Sequence, residues 1–292
     1  MTHEWTLAEY ALWAGHHALP LFAVTLALAL ATTCACWWAL QRYRVRRGSV
    51  TPLPTDFMTL RIAIGSGVVL VSGVVFATLA GQFGGGVELR GADQIFTDAL
   101  GAGVALSAMQ VFASVTRLAD TRTLTILCIA VAILLAAARR PWLAFAWVVA
   151  VGGNGLINTS LKQVFGRLRP VQPEGFVFEH GFSFPSGHSS GCVVAYGMLA
   201  YLAVRLLPPR WQLPSILVAV VFVLTIGASR IFLRVHFVSD VVAGFASGLA
   251  WLAICITGIE LARIWRLRSA AAAALDLASA ESQPGHNGTA VR

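Results

Sequence analysis

Seven runs of apolar residues, each bounded by polar or helix-breaking positions, divide the chain. They cover about Leu19 to Leu40, Ile62 to Phe83, Leu124 to Ala138, Trp142 to Leu161, Gly187 to Leu207, Pro214 to Ala228 and Phe237 to Ile259. Most approach the roughly 20 residues a helix needs to cross a bilayer. No charged residue falls in the middle of any of them, where each would cost about 2.5–3.5 kcal/mol on insertion scales. The pattern predicts an all-α fold, a polytopic membrane helical bundle. Pro52 and Pro54 mark a loop after the first run, and Gly84-Gly85-Gly86 a hinge or turn after the second. Pro214 is tolerable if it falls in the first turn of the sixth helix. Between the second and third runs, Asp93, Asp98, Gln110, Thr116, Arg117 and Asp120 break up the apolar residues. Residues 91–122 therefore read as helices lying in the interface rather than as a span.

Composition agrees: 57% of residues are hydrophobic and 12% charged, against roughly a quarter charged in soluble domains. The net charge of +8 matters through its placement. Arg42, Arg44, Arg46, Arg47, Arg61, Arg139, Arg140, Arg205, Arg210, Arg263, Arg266 and Arg268 all fall on one side of the seven-span arrangement. Outside the motif stretches, Arg90, Arg117 and Arg122 fall on the other. The arginine-rich side is the cytoplasmic one. This predicts an N-terminus outside and a cytoplasmic C-terminus. No basic patch is paired with an exposed aromatic platform, which sets nucleic acid aside as a partner. Cys34, Cys36, Cys128, Cys192 and Cys255 lie within apolar runs and read as small hydrophobes. The expected division is an N-terminal segment with an extra helix (1–54), a core (55–262) and a basic, then disordered, tail (263–292).

Three charged stretches emerge on the side opposite the arginines. The first, Lys162-Gln-Val-Phe-Gly-Arg-Leu-Arg169-Pro170, places Lys162 and Arg169 two helical turns apart, although Pro170 disfavours helix at Arg169. The second, Pro185-Ser186-Gly187-His188, opens the fifth run. Ser186 is a plausible helix cap there, and the free N–H groups of the first turn make an anion site. The third runs from Ser229 through Arg230 and His236 to Asp240. His236 and Asp240 are one turn apart on a helix, so the carboxylate can hold one imidazole nitrogen and leave the other free to attack. Each stretch alone reads as an ordinary interfacial ion pair or anchor. Together they supply cations, oriented donors and proton carriers, which is what a tetrahedral oxyanion requires.

These stretches, Lys162-x6-Arg169-Pro170, Pro185-Ser186-Gly187-His188 and Ser229-Arg230-x5-His236-x3-Asp240, resemble the three signature motifs of the type 2 phosphatidic acid phosphatase (PAP2) superfamily without gap or substitution. The resemblance implies a six-helix core, from about Thr55 to Ile259, with the first helix as an addition. It implies His236 as a nucleophile carrying the phosphoryl group, Asp240 as its support, and His188 as the acid that protonates the leaving group and then activates water. Lys162, Arg169, Arg230, Ser186 and Gly187 would bind phosphate, with no metal and no cofactor. Arg167 and Arg234, off the signature positions, are expected to be head-group contacts. The implied substrate is a membrane lipid phosphate or isoprenyl diphosphate, such as undecaprenyl diphosphate, phosphatidic acid, phosphatidylglycerol phosphate or lipid A. The implied setting is a bacterial inner membrane with the site on the extracytoplasmic face. Vanadate haloperoxidases share the motifs but are soluble, which seven spans oppose. A lipid phosphotransferase, or a non-catalytic transporter or scaffold of the same fold, are the alternatives. The sequence sets no oligomeric state.

Overall fold

The computed structural model describes residues 5–46, 54–82, 87–170 and 179–281, and its regular elements there are all helical. In chain order they are α1 (Leu7–His16), α2 (Ala18–Arg46), α3 (Pro54–Gly81), α4 (Val87–Gly103), α5 (Leu106–Thr116), a 3₁₀ turn (Arg117–Ala119), α6 (Thr121–Ala137), α7 (Pro141–Phe165), α8 (Gly187–Leu206), α9 (Pro209–Phe232) and α10 (Val238–Glu281). The triple glycine 84–86 and the sequon at Asn287 lie outside the described residues.

Local chemistry sets several helix ends. A capping box closes α1: the Thr6 side chain accepts from the Glu9 N–H while Glu9 reaches back to the Thr6 N–H at 2.7 Å. Proline opens α7 and α9, where its missing N–H costs nothing. Gly166 ends α7 in the left-handed region at φ 56°, a conformation that glycine adopts without a Cβ penalty.

Among the described residues, six helices, α2, α3, α7, α8, α9 and α10, are long and apolar enough to cross a membrane. The third expected span is shorter than the rest. α6 has 17 residues between Asp120 and the Arg139-Arg140-Pro141 turn, or about 25 Å at 1.5 Å per residue. α4 and α5 are bent by 119° at the break between them. Asp93 of α4 bonds to Arg167, and Thr116 at the end of α5 to Arg230. Three further expectations differ from the structure. Residues 269–281, expected to be disordered, continue α10, because an alanine run has the highest helix propensity. α9 starts five residues before Pro214, so that proline is inside the helix rather than in its first turn. α1 was not anticipated.

The core is built around Trp147, fully buried among Leu135, Val194, Met198 and Leu252 from α6, α8 and α10. Its indole donates to the Cys128 carbonyl at 3.0 Å, tying α7 to α6. A second cluster stacks Phe112 of α5 on Phe232 of α9 at 4.4 Å, with Phe22 of α2 edge-on to both. The N-terminal helix therefore lies directly against the core. On the outside, α2 and α3 expose Leu28, Leu70, Val71 and Val74, an apolar surface suited to lipid rather than water.

Two glycines bring the functional elements together. A Cβ at Gly244 would sit 2.6 Å from the Ser186 carbonyl, and one at Gly248 would sit 2.8 Å from the Ser190 carbonyl. Their absence lets α10 lie directly on the N-terminal half of α8. The bundle has two unlike ends. One end gathers Lys162, Arg169, His188, Arg230, His236 and Asp240. The other carries Arg139 and Arg140, with Arg266 over Trp142 at 4.3 Å and Arg205 on Glu260 at 2.7 Å.

Candidate active site

The His236 imidazole is buried in the turn between α9 and α10, and its two nitrogens are distinguishable. Nε2 lies 3.2 Å from Arg169 Nη1. A guanidinium only donates, so Nε2 must be the unprotonated nitrogen and Nδ1 carries the hydrogen. Nδ1 faces Asp240 Oδ2 at 3.4 Å and Ser183 Oγ at 3.3 Å. Ser183 also donates to Asp240 Oδ2, and the Phe237 N–H reaches the same oxygen at 3.0 Å. Asp240 is therefore fixed from several directions and in turn fixes the tautomer that a nucleophile needs. Burial pushes the imidazole down to about 4, with Asp240 opposing and Arg230 and Arg169 adding to the fall. His236 is thus neutral at physiological pH.

Arg167 and Asp93 complete this arrangement. Arg167 Nη1 donates to Asp240 Oδ1 at 2.6 Å and to Ser239 Oγ at 2.7 Å, while Nη2 meets Asp93 Oδ2 at 2.9 Å. Its guanidinium lies over the Phe237 ring at 4.2 Å. Asp93 also accepts from Ser239, through both its N–H and its hydroxyl. Arg167 is not the head-group contact expected from sequence: it is a nearly buried cation between two buried carboxylates. Arg234 likewise turns inward, 3.8 Å from Asp98 and packed against Gly101.

The remaining cations converge on the same place. α7 ends at Phe165, so Lys162 is delivered by the helix and Arg169 by the loop that follows Gly166. Lys162 Nζ donates to the Phe182 carbonyl at 3.0 Å, and Arg169 donates to the carbonyls of Gly181 at 3.1 Å and Val235 at 2.9 Å. Arg230 is fully buried. It donates through Nη1 to Thr116 at 2.6 Å and through Nη2 to Glu179 at 2.5 Å. Its Nε has no hydrogen-bond partner among the described residues, a costly state for a buried charged donor that an oxyanion would relieve. His188 lies within electrostatic reach of Arg230, Glu179, His236 and Lys162, and its Nε2 is 2.9 Å from Asp120 Oδ1.

Ser186 caps α8 through the Ser189 N–H. Its own N–H is committed to the Asp240 carbonyl at 3.0 Å. The donors at this helix end with no intrahelical partner are thus those of Gly187 and His188. Asn158 braces the turn from α7, reaching Ser190 at 3.3 Å. A cleft of about 440 Å³ lined by Arg90, Gln94, Phe165, Arg169 and Phe237 opens beside the cluster. A roomier one of about 630 Å³ lies at the opposite end, near Arg205 and Glu260, away from all of these groups.

Every sequence-predicted site residue therefore lies at one end of the bundle. Sequence reasoning missed Asp93, Asp120, Arg167, Glu179 and Ser183. The two aspartates had a signal, as charged breaks in an otherwise apolar stretch; Glu179 and Ser183 lie in a loop with no periodicity to reveal them.

Residues 141–263 match the PAP2 superfamily. Phosphatidylglycerophosphatase B of Bacillus subtilis is 37% identical over 113 residues, 38% of this chain and 55% of that protein. A lipid A 1-phosphatase of Rhizobium johnstonii is 34% identical over 122 residues, 38% of this chain and 44% of that protein. The chain thus spans about half the length of the curated relatives it matches. A crystal structure of a transmembrane PAP2-type phosphatidylglycerolphosphate phosphatase from Bacillus subtilis superposes with a TM-score of 0.62 at 28% identity, covering 66% of this chain and 96% of that one. Residues 141–263 thus form a PAP2 superfamily domain, within a helical bundle similar to that of a PAP2 membrane phosphatase.

Proposed function

We propose that this protein is an integral-membrane lipid phosphatase that works through a phosphohistidine on His236. The observation that carries the reading is the polarity of that imidazole: Nδ1 is held by Asp240 and Ser183, while the lone pair of Nε2 faces a cation. Nε2 attacks phosphorus, and the bond from phosphorus to the leaving lipid oxygen breaks as His188 gives that oxygen a proton. His188 then takes a proton from water, whose oxygen attacks the phosphoryl group, breaking the P–N bond and releasing phosphate. Lys162, Arg169 and Arg230, with the Gly187 and His188 N–H groups, neutralise and orient the phosphoryl oxygens. These cations occupy the role a metal fills elsewhere. The lipid phosphatase relatives and the position of the site at the helix ends support a lipid phosphate or isoprenyl diphosphate as substrate. The clustering of Arg139, Arg140, Arg205 and Arg266 at the other end supports a cytoplasmic position for that end and an extracytoplasmic site. The catalytic core is assigned to residues 55–262, flanked by the segment 1–54 and the tail 263–292.

The purified protein in detergent with a chelator is expected to release phosphate from a panel of phosphatidylglycerol phosphate, phosphatidic acid, lipid A and undecaprenyl diphosphate. Absence of release from all four would overturn the reading. The pH profile is a second check. Protonation removes the Nε2 lone pair, and the imidazole is held down at about 4. The acid limb of kcat/KM should therefore fall toward pH 4, with no break at the ordinary histidine value. The basic limb should follow loss of the leaving-group proton from His188. An acid limb centred at 6.5 would show that the nucleophile is not this buried group.

A further inference from the structure

Glu179 belongs to none of the motifs, yet its carboxylate lies among the cations that the proposed chemistry requires. One oxygen meets Arg230 Nη2 at 2.5 Å and the other is 3.9 Å from Arg169 Nη2. Two oxygens of one anion thus span two guanidinium groups, as two oxygens of a phosphoryl group would. Burial alone would raise the Glu179 carboxyl, but Arg230, His188 and Arg169 outweigh it and hold it below the usual carboxylate range. The carboxylate is therefore charged at neutral pH. The segment that follows occupies further donors: Lys162 on the Phe182 carbonyl and Arg169 on that of Gly181.

We propose that Glu179 is an internal substitute for the substrate phosphate, occupying the oxyanion cradle between turnovers and leaving it when a phosphoryl group arrives. This rests on the phosphatase reading and adds to it a residue that governs how tightly the site retains phosphate. The physical reason lies in Arg230. With no exposure of its own, it is strongly destabilising if left without a counter-charge. Glu179 is 26% exposed and has a route to water that Arg230 lacks. A phosphate dianion brings more charge than a carboxylate and can displace it. Once the lipid product has left and the phosphoryl group has been hydrolysed, return of Glu179 expels inorganic phosphate.

The test is product inhibition. Glu179→Gln keeps the length and an acceptor for Arg230 but removes the charge that competes with phosphate. The inhibition constants for inorganic phosphate and orthovanadate should each fall about tenfold or more, the worth of one charge-assisted hydrogen bond. The rise in thermal midpoint on adding phosphate should be larger than in the wild type. Glu179→Asp, which cannot reach Arg230 at the same distance, should shift both in the same direction and serves if the glutamine variant folds poorly. Unchanged or weakened phosphate inhibition in these variants would overturn the proposal. A wild-type protein that neither hydrolyses lipid phosphates nor is stabilised by phosphate would overturn the phosphatase reading instead.

Discussion

His236→Ala should abolish phosphate release, lowering kcat/KM by roughly four orders of magnitude or more. Losses of that size follow removal of a nucleophile whose partners act as a unit. The substitution leaves Lys162, Arg169, Arg230 and the α8 N-terminus in place, so lipid binding should persist while turnover stops. It also empties a buried site and takes one of two acceptors from Arg169 Nη1, which keeps the Val235 carbonyl. His236→Asn, which keeps a polar group in that space, is the companion variant. Both should elute as the wild type does and show a cooperative thermal transition. In the wild type, a quench during turnover should trap a phosphoenzyme stable in base and labile in acid, as a P–N bond is, and absent from either variant. Retained turnover in a folded His236→Ala protein would remove the nucleophile assignment.

Arg167→Met should have the largest effect on stability. The side chain is 9% exposed and pairs with Asp93 and Asp240, which are 5% and 0% exposed. Removing it leaves two buried carboxylates without their shared cation, and breaking such a pair costs about 3–5 kcal/mol. Adding Asp93→Asn should restore part of the lost thermal midpoint, because one orphaned charge disappears; the two sites are in contact, so their effects should not add. Activity should not recover with it, since Asp240 still lacks its anchor opposite His236. Arg167 acts on the chemistry only through Asp240, so Arg167→Lys should lower kcat while leaving KM for a short-chain lipid phosphate nearly unchanged. Equal losses in kcat and stability that recover together in the double variant would make Arg167 a purely structural residue.

The same network shows where sequence reading stopped. The apolar runs located the long helices, because a helix facing lipid must be apolar along its length and its ends must be polar. The boundaries moved by a few residues, and the largest departures were at α1 and at the far end of α10. At α1 the Thr6/Glu9 capping box starts a helix that no long apolar run announces. Past Arg268 a low-complexity tail resembled disorder but continued as helix. For the site, the motif residues were legible because the proposed reaction would demand their types at set spacings. Asp93 lies 74 residues from Arg167 in sequence, and no local rule pairs them.

The alternation of apolar runs and charged turns was enough to establish a helical membrane bundle whose reactive groups emerge at one end. Helix length and the cost of burying charge act locally, so sequence alone carries them. The tertiary structure decided which cation meets which anion. Gly244 and Gly248 let α10 approach α8, the break after Gly166 turns Arg169 toward His236, and the loop before Ser186 brings Glu179 to Arg230. Those contacts depend on backbone approach and on competition among several charges for one buried space, which exist only once the helices have packed.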